Sequence, residues 1–298
     1  MKYFLIFLFA FCSLFSTAQT NTNRVFKNFK EGTRLEADIP YGDHEKQKLD
    51  IYWPENAKPG MPLLVWFHGG AWRTGDQCND MSYMTNTLNE ILESGFVLAS
   101  VDYRWSTQQV FPQIVQDCNM SLEFLYQNAE KYGIDKNRIS VIGFSAGGHL
   151  VNLLSLAANN QKGEFIAPAS KKSFKIKCVL DFYGPVDLIS HTNPAEAFDH
   201  ESPIAQLIGA TAYERPDLAK IASPLTYVDE NDPPFLIVNG EKDESVNFTQ
   251  AYLLANSLNL VGVENEVIIV KDAPHYGEYF DAPAVRQKVI SFLNKHGK

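Results

Sequence analysis

Residues 139–150 read Ile139-Ser140-Val141-Ile142-Gly143-Phe144-Ser145-Ala146-Gly147-Gly148-His149-Leu150. An apolar β-branched run enters this stretch, a glycine-flanked serine turns it, and a second apolar segment, Leu150 to Leu156, leaves it. By itself a G-x-S-x-G match is a common accident. Between a strand and a helix it predicts a sharp elbow that lifts the Ser145 hydroxyl above the end of a sheet, flanked by glycines because a Cβ would clash in the turn. Ser145 is the candidate nucleophile.

On both sides of this elbow short apolar runs alternate with amphipathic helical segments. The predicted strands are Lys48 to Tyr52, Leu63 to Phe67, Val97 to Tyr103, Ile139 to Gly143, Cys178 to Tyr183, Phe235 to Asn239 and Glu266 to Val270. Most are continuous and β-branched or aromatic, as strands buried on both faces are. Helices are expected from Phe111 to Tyr132, after Ser145, from about Thr249 to Leu260 and from Val285 to Lys295. This order predicts an α/β fold, with a mostly parallel central sheet and helices on both faces. Residues 19–298 form one such domain, its polar start (19–47) ending in a hairpin that leads into Lys48. The segment 188–222, with Pro194, Pro203, Gly209 and Pro216, is too long for an ordinary connection and is expected to be a short cap or lid.

A serine hydroxyl needs a general base within hydrogen-bond reach and a carboxylate to fix the tautomer of that base. On an elbow of this kind the partners follow in the order serine, acid, histidine. Of the histidines after Ser145, His149 lies one helical turn on and is expected to pack beneath the site. His191 and His200 fall in the cap and His296 is almost terminal. His275 follows the last predicted strand, where a base can hang over the nucleophile, so it is the predicted base. The acid belongs at the end of the preceding strand. Asp243 is favoured there over Glu241 and Asp272.

The tetrahedral intermediate of such a reaction carries a negative oxygen, and fixed donors aimed at it are usually the largest catalytic factor. His68-Gly69-Gly70-Ala71-Trp72 follows the strand Leu63 to Phe67, where a donor loop belongs. Gly69 and Gly70, with the N–H of Ala146, are the expected oxyanion donors. Trp72, Phe144 and Tyr183 are the expected substrate-binding residues, forming an apolar neighbourhood for a small or aromatic acyl group.

The chain has 298 residues, of which 45% are hydrophobic and 20% charged, a balance that argues against disorder and against a polytopic membrane protein. Lys2, an apolar run from Tyr3 to Phe15 and the small residues Ser16, Thr17 and Ala18 predict a secretory signal over residues 1–18, with the mature chain starting at Gln19 and no stable membrane insertion after cleavage. Cys12 follows the bulky Phe11, a poor match to a lipid-attachment signal. Export to the periplasm or the extracellular space is expected. Loss of Lys2 leaves 25 Lys and Arg against 35 Asp and Glu, a net charge of −10, which excludes an electrostatic attraction to nucleic acid or anionic membrane. Cys78, Cys118 and Cys178 allow one disulfide but no thiolate zinc site. No metal-binding, phosphate-loop or dinucleotide motif is present, so no cofactor or metal is expected; His200-Glu201 is a solvated cap pair.

Taken together, HGGAWRTGD (68–76), VDYR (101–104), FPQIVQD (111–117), NAEKYGIDKNRISVIGFSAGGHL (128–150), DFYGPVDL (181–188), SPLTYVDENDPPFLIVNGEKDESV (223–246) and APHYG (273–277) resemble the secreted bacterial feruloyl and acetyl-xylan esterase-like branch of the α/β-hydrolases. That branch is related to hormone-sensitive-lipase-like carboxylesterases and to kynurenine formamidase. The resemblance runs from about Lys48 to the last helix. It implies the α/β-hydrolase fold, Ser145, Asp243 and His275 as a triad, and Gly69, Gly70 and Ala146 as oxyanion donors. It also implies acetyl or feruloyl esters of plant polysaccharide or oligosaccharide as substrates. Three positions depart from the pattern: Phe144 stands where an acidic or polar residue is frequent, Asn239 where histidine usually precedes the glycine, and Asn247 where proline is common. A C–N hydrolase such as an aryl formamidase, a general short-chain carboxylesterase or lipase, and a noncatalytic binding protein on the same scaffold are the competing readings.

Overall fold

The computed structural model describes residues 23–158, 165 and 174–298. The expected signal, its cleavage point before Gln19 and Cys12 lie outside the described residues. Eight strands form one sheet: β1 (Arg34–Pro40), β2 (Lys48–Trp53), β3 (Met61–Phe67), β4 (Val97–Val101), β5 (Ile134–Phe144), β6 (Ile176–Phe182), β7 (Phe235–Gly240) and β8 (Asn265–Val270). Their spatial order is β1-β2-β4-β3-β5-β6-β7-β8. β2 is antiparallel to β1 and to β4, and every other neighbouring pair is parallel.

The predicted strands recur within a residue or two at most ends. β5 is the exception, starting five residues early at Ile134. Met61 pairs with Ile134 and Leu63 with Ile139, so the polar stretch Asp135 to Arg138 is an irregularity within one strand, which its composition conceals. β1 is the first arm of the expected hairpin.

The helices are α1 (Thr85–Glu93), α2 (Gln113–Gln127), α3 (Ala146–Leu153), α4 (Leu188–His191), α5 (Pro203–Ile208), α6 (Pro216–Ala222), α7 (Thr249–Leu260) and α8 (Pro283–His296). α2 stops short of the expected Tyr132. There both the backbone N–H and the side-chain amide of Asn128 donate to the Phe124 carbonyl, closing the last turn before the chain runs on in turns to Gly133.

Successive side chains of β3 face opposite sides. Leu63, Val65 and Phe67 join the apolar core beneath α2, α3 and α7, while Leu64 and Trp66 join the core beneath α1 and α8. All are fully buried, and each such side chain contributes roughly 1.5–3 kcal/mol before conformational entropy is set against it. The segment 188–222 carries the short helices α4, α5 and α6. Three of its helical turns begin at Pro194, Pro203 and Pro216, where a missing N–H costs nothing. Cys78, Cys118 and Cys178 are buried free thiols rather than a disulfide pair. No helix among the described residues is long and apolar enough to cross a membrane.

Candidate active site

Ser145 sits between β5 and α3 with φ 53° and ψ −116°, a strained backbone that non-glycine residues rarely adopt. Bonds on both sides hold it: its N–H donates to Phe182 O at 2.9 Å and its carbonyl accepts from His149 N at 3.0 Å. The elbow requires glycine at 147, where a Cβ would stand 2.2 Å from the Phe67 carbonyl oxygen.

The Ser145 hydroxyl lies 2.8 Å from His275 Nε2, and His275 Nδ1 lies 2.8 Å from Asp243 Oδ2. An ionised carboxylate can only accept, so Nδ1 carries the proton and Nε2 presents its lone pair to the serine hydroxyl. Asp243 is itself held: its Oδ1 accepts from the backbone N–H groups of Ser245 and Val246 at 2.9 and 2.8 Å. Its side chain is fully buried and that of His275 is 17% exposed, so only the imidazole edge meets the cavity. The rejected acids lie elsewhere. Glu241 accepts from Asp272 N at 3.0 Å on the exposed side of the loop, and Asp272 pairs with Lys242.

Ser145, His275 and the glycine loop open on a cavity of about 640 Å³. Gly70, Ala71 and Ala146 line it, and the N–H groups of Gly70 and Ala71 have no acceptor among the described residues. Ala146, first in α3, has no intrahelical acceptor. Gly69 departs from expectation. Its N–H donates to Asp80 Oδ2 at 2.7 Å and is not offered to the site, which leaves Gly70 and Ala71 as the open amides of this loop. Nothing in the sequence ties Asp80 to the loop, because the contact depends on how residues 75–80 fold back.

Phe144 is the second correction. It is fully buried against Trp66 and Phe182, with ring centroids 4.2 and 4.8 Å away, and lies on the core side of the elbow rather than in the cavity wall. Alternation along β5 explains this: Ser145 turns up out of the sheet while the residue before it points into the layer below. Trp72 and Tyr183 do line the cavity.

His149 packs beneath the loop. It accepts from Trp72 Nε1 at 3.2 Å on Nδ1 and donates from Nε2 to Ala222 O at 2.8 Å. Burial pulls its pKa down to about 4, in keeping with a neutral ring that both accepts and donates. His191 of the cap lines the cavity, and burial with the nearby His275 lowers it likewise to about 4. Arg73 ties the loop to the cap through Glu201 O at 3.0 Å. His200 faces Glu214 at 3.3 Å, and Glu201 accepts from Gln206.

A family model, BD-FAE, matches residues 49–258, from β2 to near the end of α7. The chain belongs to the BD-FAE family. The matched span includes Ser145, Asp243 and the glycine loop, and His275 follows it. Esterase LipC of Mycobacterium tuberculosis is 29% identical to this BD-FAE chain over 245 residues, which are 82% of the chain and 59% of LipC. Isoprenylcysteine alpha-carbonyl methylesterase ICME of Arabidopsis thaliana is 26% identical over 266 residues, 84% of the chain and 58% of ICME. The chain thus spans about three fifths of the length of these curated relatives. Among solved structures, a truncated form of a carbohydrate esterase from gut microbiota superposes with a TM-score of 0.77 at 26% identity, covering 88% of this chain and 95% of that one. A bifunctional GH43-CE protein of Bacteroides eggerthii gives 0.75 at 26% identity, covering 89% and 35%. The fold is that of the α/β-hydrolases.

Proposed function

We propose that this chain is an exported serine esterase that cleaves carboxylic esters through an acyl-enzyme, acting on acetyl or feruloyl groups carried by plant polysaccharide or oligosaccharide. The observation that carries the reading is the unbroken hydrogen-bond chain from Ser145 through His275 to Asp243 at the floor of an open cavity.

In the proposed reaction the Ser145 oxygen attacks the ester carbonyl carbon as His275 Nε2 takes the hydroxyl proton. The carbonyl π pair moves onto oxygen, where the Gly70, Ala71 and Ala146 N–H groups receive it. Asp243 stabilises the imidazolium. Collapse breaks the bond to the alcohol, which leaves with the proton from His275, and water then repeats the sequence on the acyl-enzyme to release the acid and restore Ser145.

Support for a carbohydrate alcohol comes from the structural relative named a carbohydrate esterase and from the polar wall of the cavity, where Arg73, Asn193, Glu196 and Glu244 can hydrogen-bond hydroxyl groups. Trp72 and Ile204 supply an apolar surface for the acyl group. Support for export comes from the composition of residues 1–18.

The test is turnover of acetylated xylo-oligosaccharide, methyl ferulate, p-nitrophenyl acetate, p-nitrophenyl butyrate and an aryl formamide, with phosphonate labelling of Ser145. The sugar acetate or the ferulate is expected to be the best substrate, with the label on Ser145 and loss of activity in Ser145→Ala by at least about 10,000-fold. Preference for the formamide makes the chain a C–N hydrolase, and preference for p-nitrophenyl butyrate a general carboxylesterase. An unlabelled Ser145 in folded protein removes the mechanism.

A further inference from the structure

Asp80 lines the cavity, yet its carboxylate is committed to two other groups. Oδ2 accepts the Gly69 N–H at 2.7 Å and Oδ1 accepts the Tyr83 hydroxyl at 2.6 Å. The Tyr83 proton is spent on Asp80, so at the 2.9 Å contact between the two phenol oxygens the fully buried Tyr183 is the donor. The Tyr183 ring stands 4.9 Å from the imidazole of His275. One carboxylate therefore connects the loop that carries the oxyanion donors to the ring packed against the base.

The backbone reports the same commitment. Asp80 has φ 67°, and Ala71, Trp72 and Tyr183 also have positive φ, at 52°, 59° and 46°. Such backbone strain in non-glycine residues persists only where the surroundings dictate it. These four fall on the elements that Asp80 bridges, while Asp38, Ser145 and Asp272 have positive φ elsewhere. The peptide unit is planar, so the clamp on the Gly69 N–H orients the 68–69 plane from which the chain runs into the next two amides. These are the amides of Gly70 and Ala71.

We infer that Asp80 is a positioning residue for the proposed ester hydrolysis: by clamping the Gly69 N–H and, through Tyr83 and Tyr183, the wall behind His275, it holds the Gly70 and Ala71 amides toward the developing oxyanion. This rests on the serine esterase reading. It assigns Asp80 no contact with substrate, so its loss acts on the transition state and hardly on ground-state binding.

The experiment is steady-state turnover of p-nitrophenyl acetate by the parent, Asp80→Ala, Asp80→Asn and Asp80→Glu, with thermal midpoints and the inhibition constant of a trifluoromethyl ketone, whose serine adduct mimics the tetrahedral intermediate. In Asp80→Ala kcat is expected to fall about 10- to 100-fold with KM within about twofold, and the inhibition constant to rise by the factor lost in kcat. Asp80→Asn keeps an oxygen acceptor for the Gly69 amide and is expected to recover activity to within about fivefold of the parent. Asp80→Glu keeps the charge but moves it one methylene along, and is expected to lose kcat at a near-parental midpoint. An unchanged kcat in Asp80→Ala overturns the inference, as does a loss shared equally by KM with no change in inhibition. If Asp80→Ala does not fold, Asp80→Glu decides alone, and full activity there overturns it. A parent enzyme indifferent to Ser145→Ala instead overturns the esterase reading on which this one stands.

Discussion

His275 Nε2 lies 2.8 Å from Ser145 Oγ, although 130 residues separate the two along the chain. They sit at the same end of the sheet, Ser145 after β5 and His275 after β8, with β6 and β7 between. The gap is closed by the loop beyond β8, which folds back over the end of β7: Lys242 N donates to Ala273 O at 2.9 Å, fixing the turn from which His275 hangs.

Asp243→Asn is expected to lower kcat by about four orders of magnitude, because an amide at this site can donate to Nδ1 and hold the imidazole in the wrong tautomer. Glu241→Gln is expected to leave kcat within about twofold, since its carboxylate accepts from the exposed Asp272 amide and not from His275. Parallel assays on p-nitrophenyl acetate check both. A larger loss in Glu241→Gln would move the acid.

Gly70 has φ +116°, and a Cβ there would stand 2.3 Å from the Thr74 carbonyl oxygen. Gly70→Ala must therefore displace a proposed oxyanion donor. A fall in kcat of about 100- to 1,000-fold with little change in KM is expected, read from saturation kinetics on folded protein. A rise in KM alone would make the loop a binding element instead.

Phe144 belongs to the core and not to the acyl pocket. Phe144→Leu is expected to lower the thermal midpoint while leaving the ratio of acetyl to butyryl turnover unchanged, whereas Trp72→Leu is expected to shift that ratio. Calorimetry beside p-nitrophenyl ester assays separates the two effects.

Asp181 is buried in β6, accepting from Asn152 Nδ2 at 2.7 Å and from Gly184 N at 2.9 Å, and burial pushes its pKa from 3.8 up to about 7. The folded chain keeps this proton where the unfolded chain has released it. Stability from this group is thus fully present below 3.8 and is lost as pH rises through about 7. His149 has the opposite sign: its folded pKa is about 4 against 6.5 unfolded, so its contribution is full above 6.5 and is lost as pH falls through about 4. Asp181→Asn removes only the first dependence. The midpoint of the variant minus that of the parent is expected to increase from about pH 4 to about pH 8, and a flat difference by scanning fluorimetry would show Asp181 ionised throughout.

Most of the fold was legible because parallel strands buried on both faces are continuous apolar runs; the six parallel strands were placed that way, and the antiparallel β2 beside them. The polar interruption at Asp135 to Arg138 hid the start of β5, since composition cannot show that a bulged strand resumes pairing. The strand ends pointed to Ser145, Asp243 and His275 as candidates because the chemistry demands one order of residue types at one end of a sheet. The commitment of Gly69 to Asp80 left no such trace. Both glycines satisfy the local pattern, and which of their amides stays open depends on a carboxylate eleven residues from Gly69.

Backbone periodicity and glycine placement are local properties carried by residues adjacent in the chain, and the order of serine, acid and histidine is read directly along it; these the amino-acid order alone determined. Which amides face the cavity, and that Phe144 lies beneath it rather than in its wall, was decided only in three dimensions. A buried donor takes whichever acceptor packing brings to it, and a ring beside an elbow goes to the layer that strand alternation assigns. Neither outcome is written in the residues concerned, because both are set by partners that arrive from other parts of the chain.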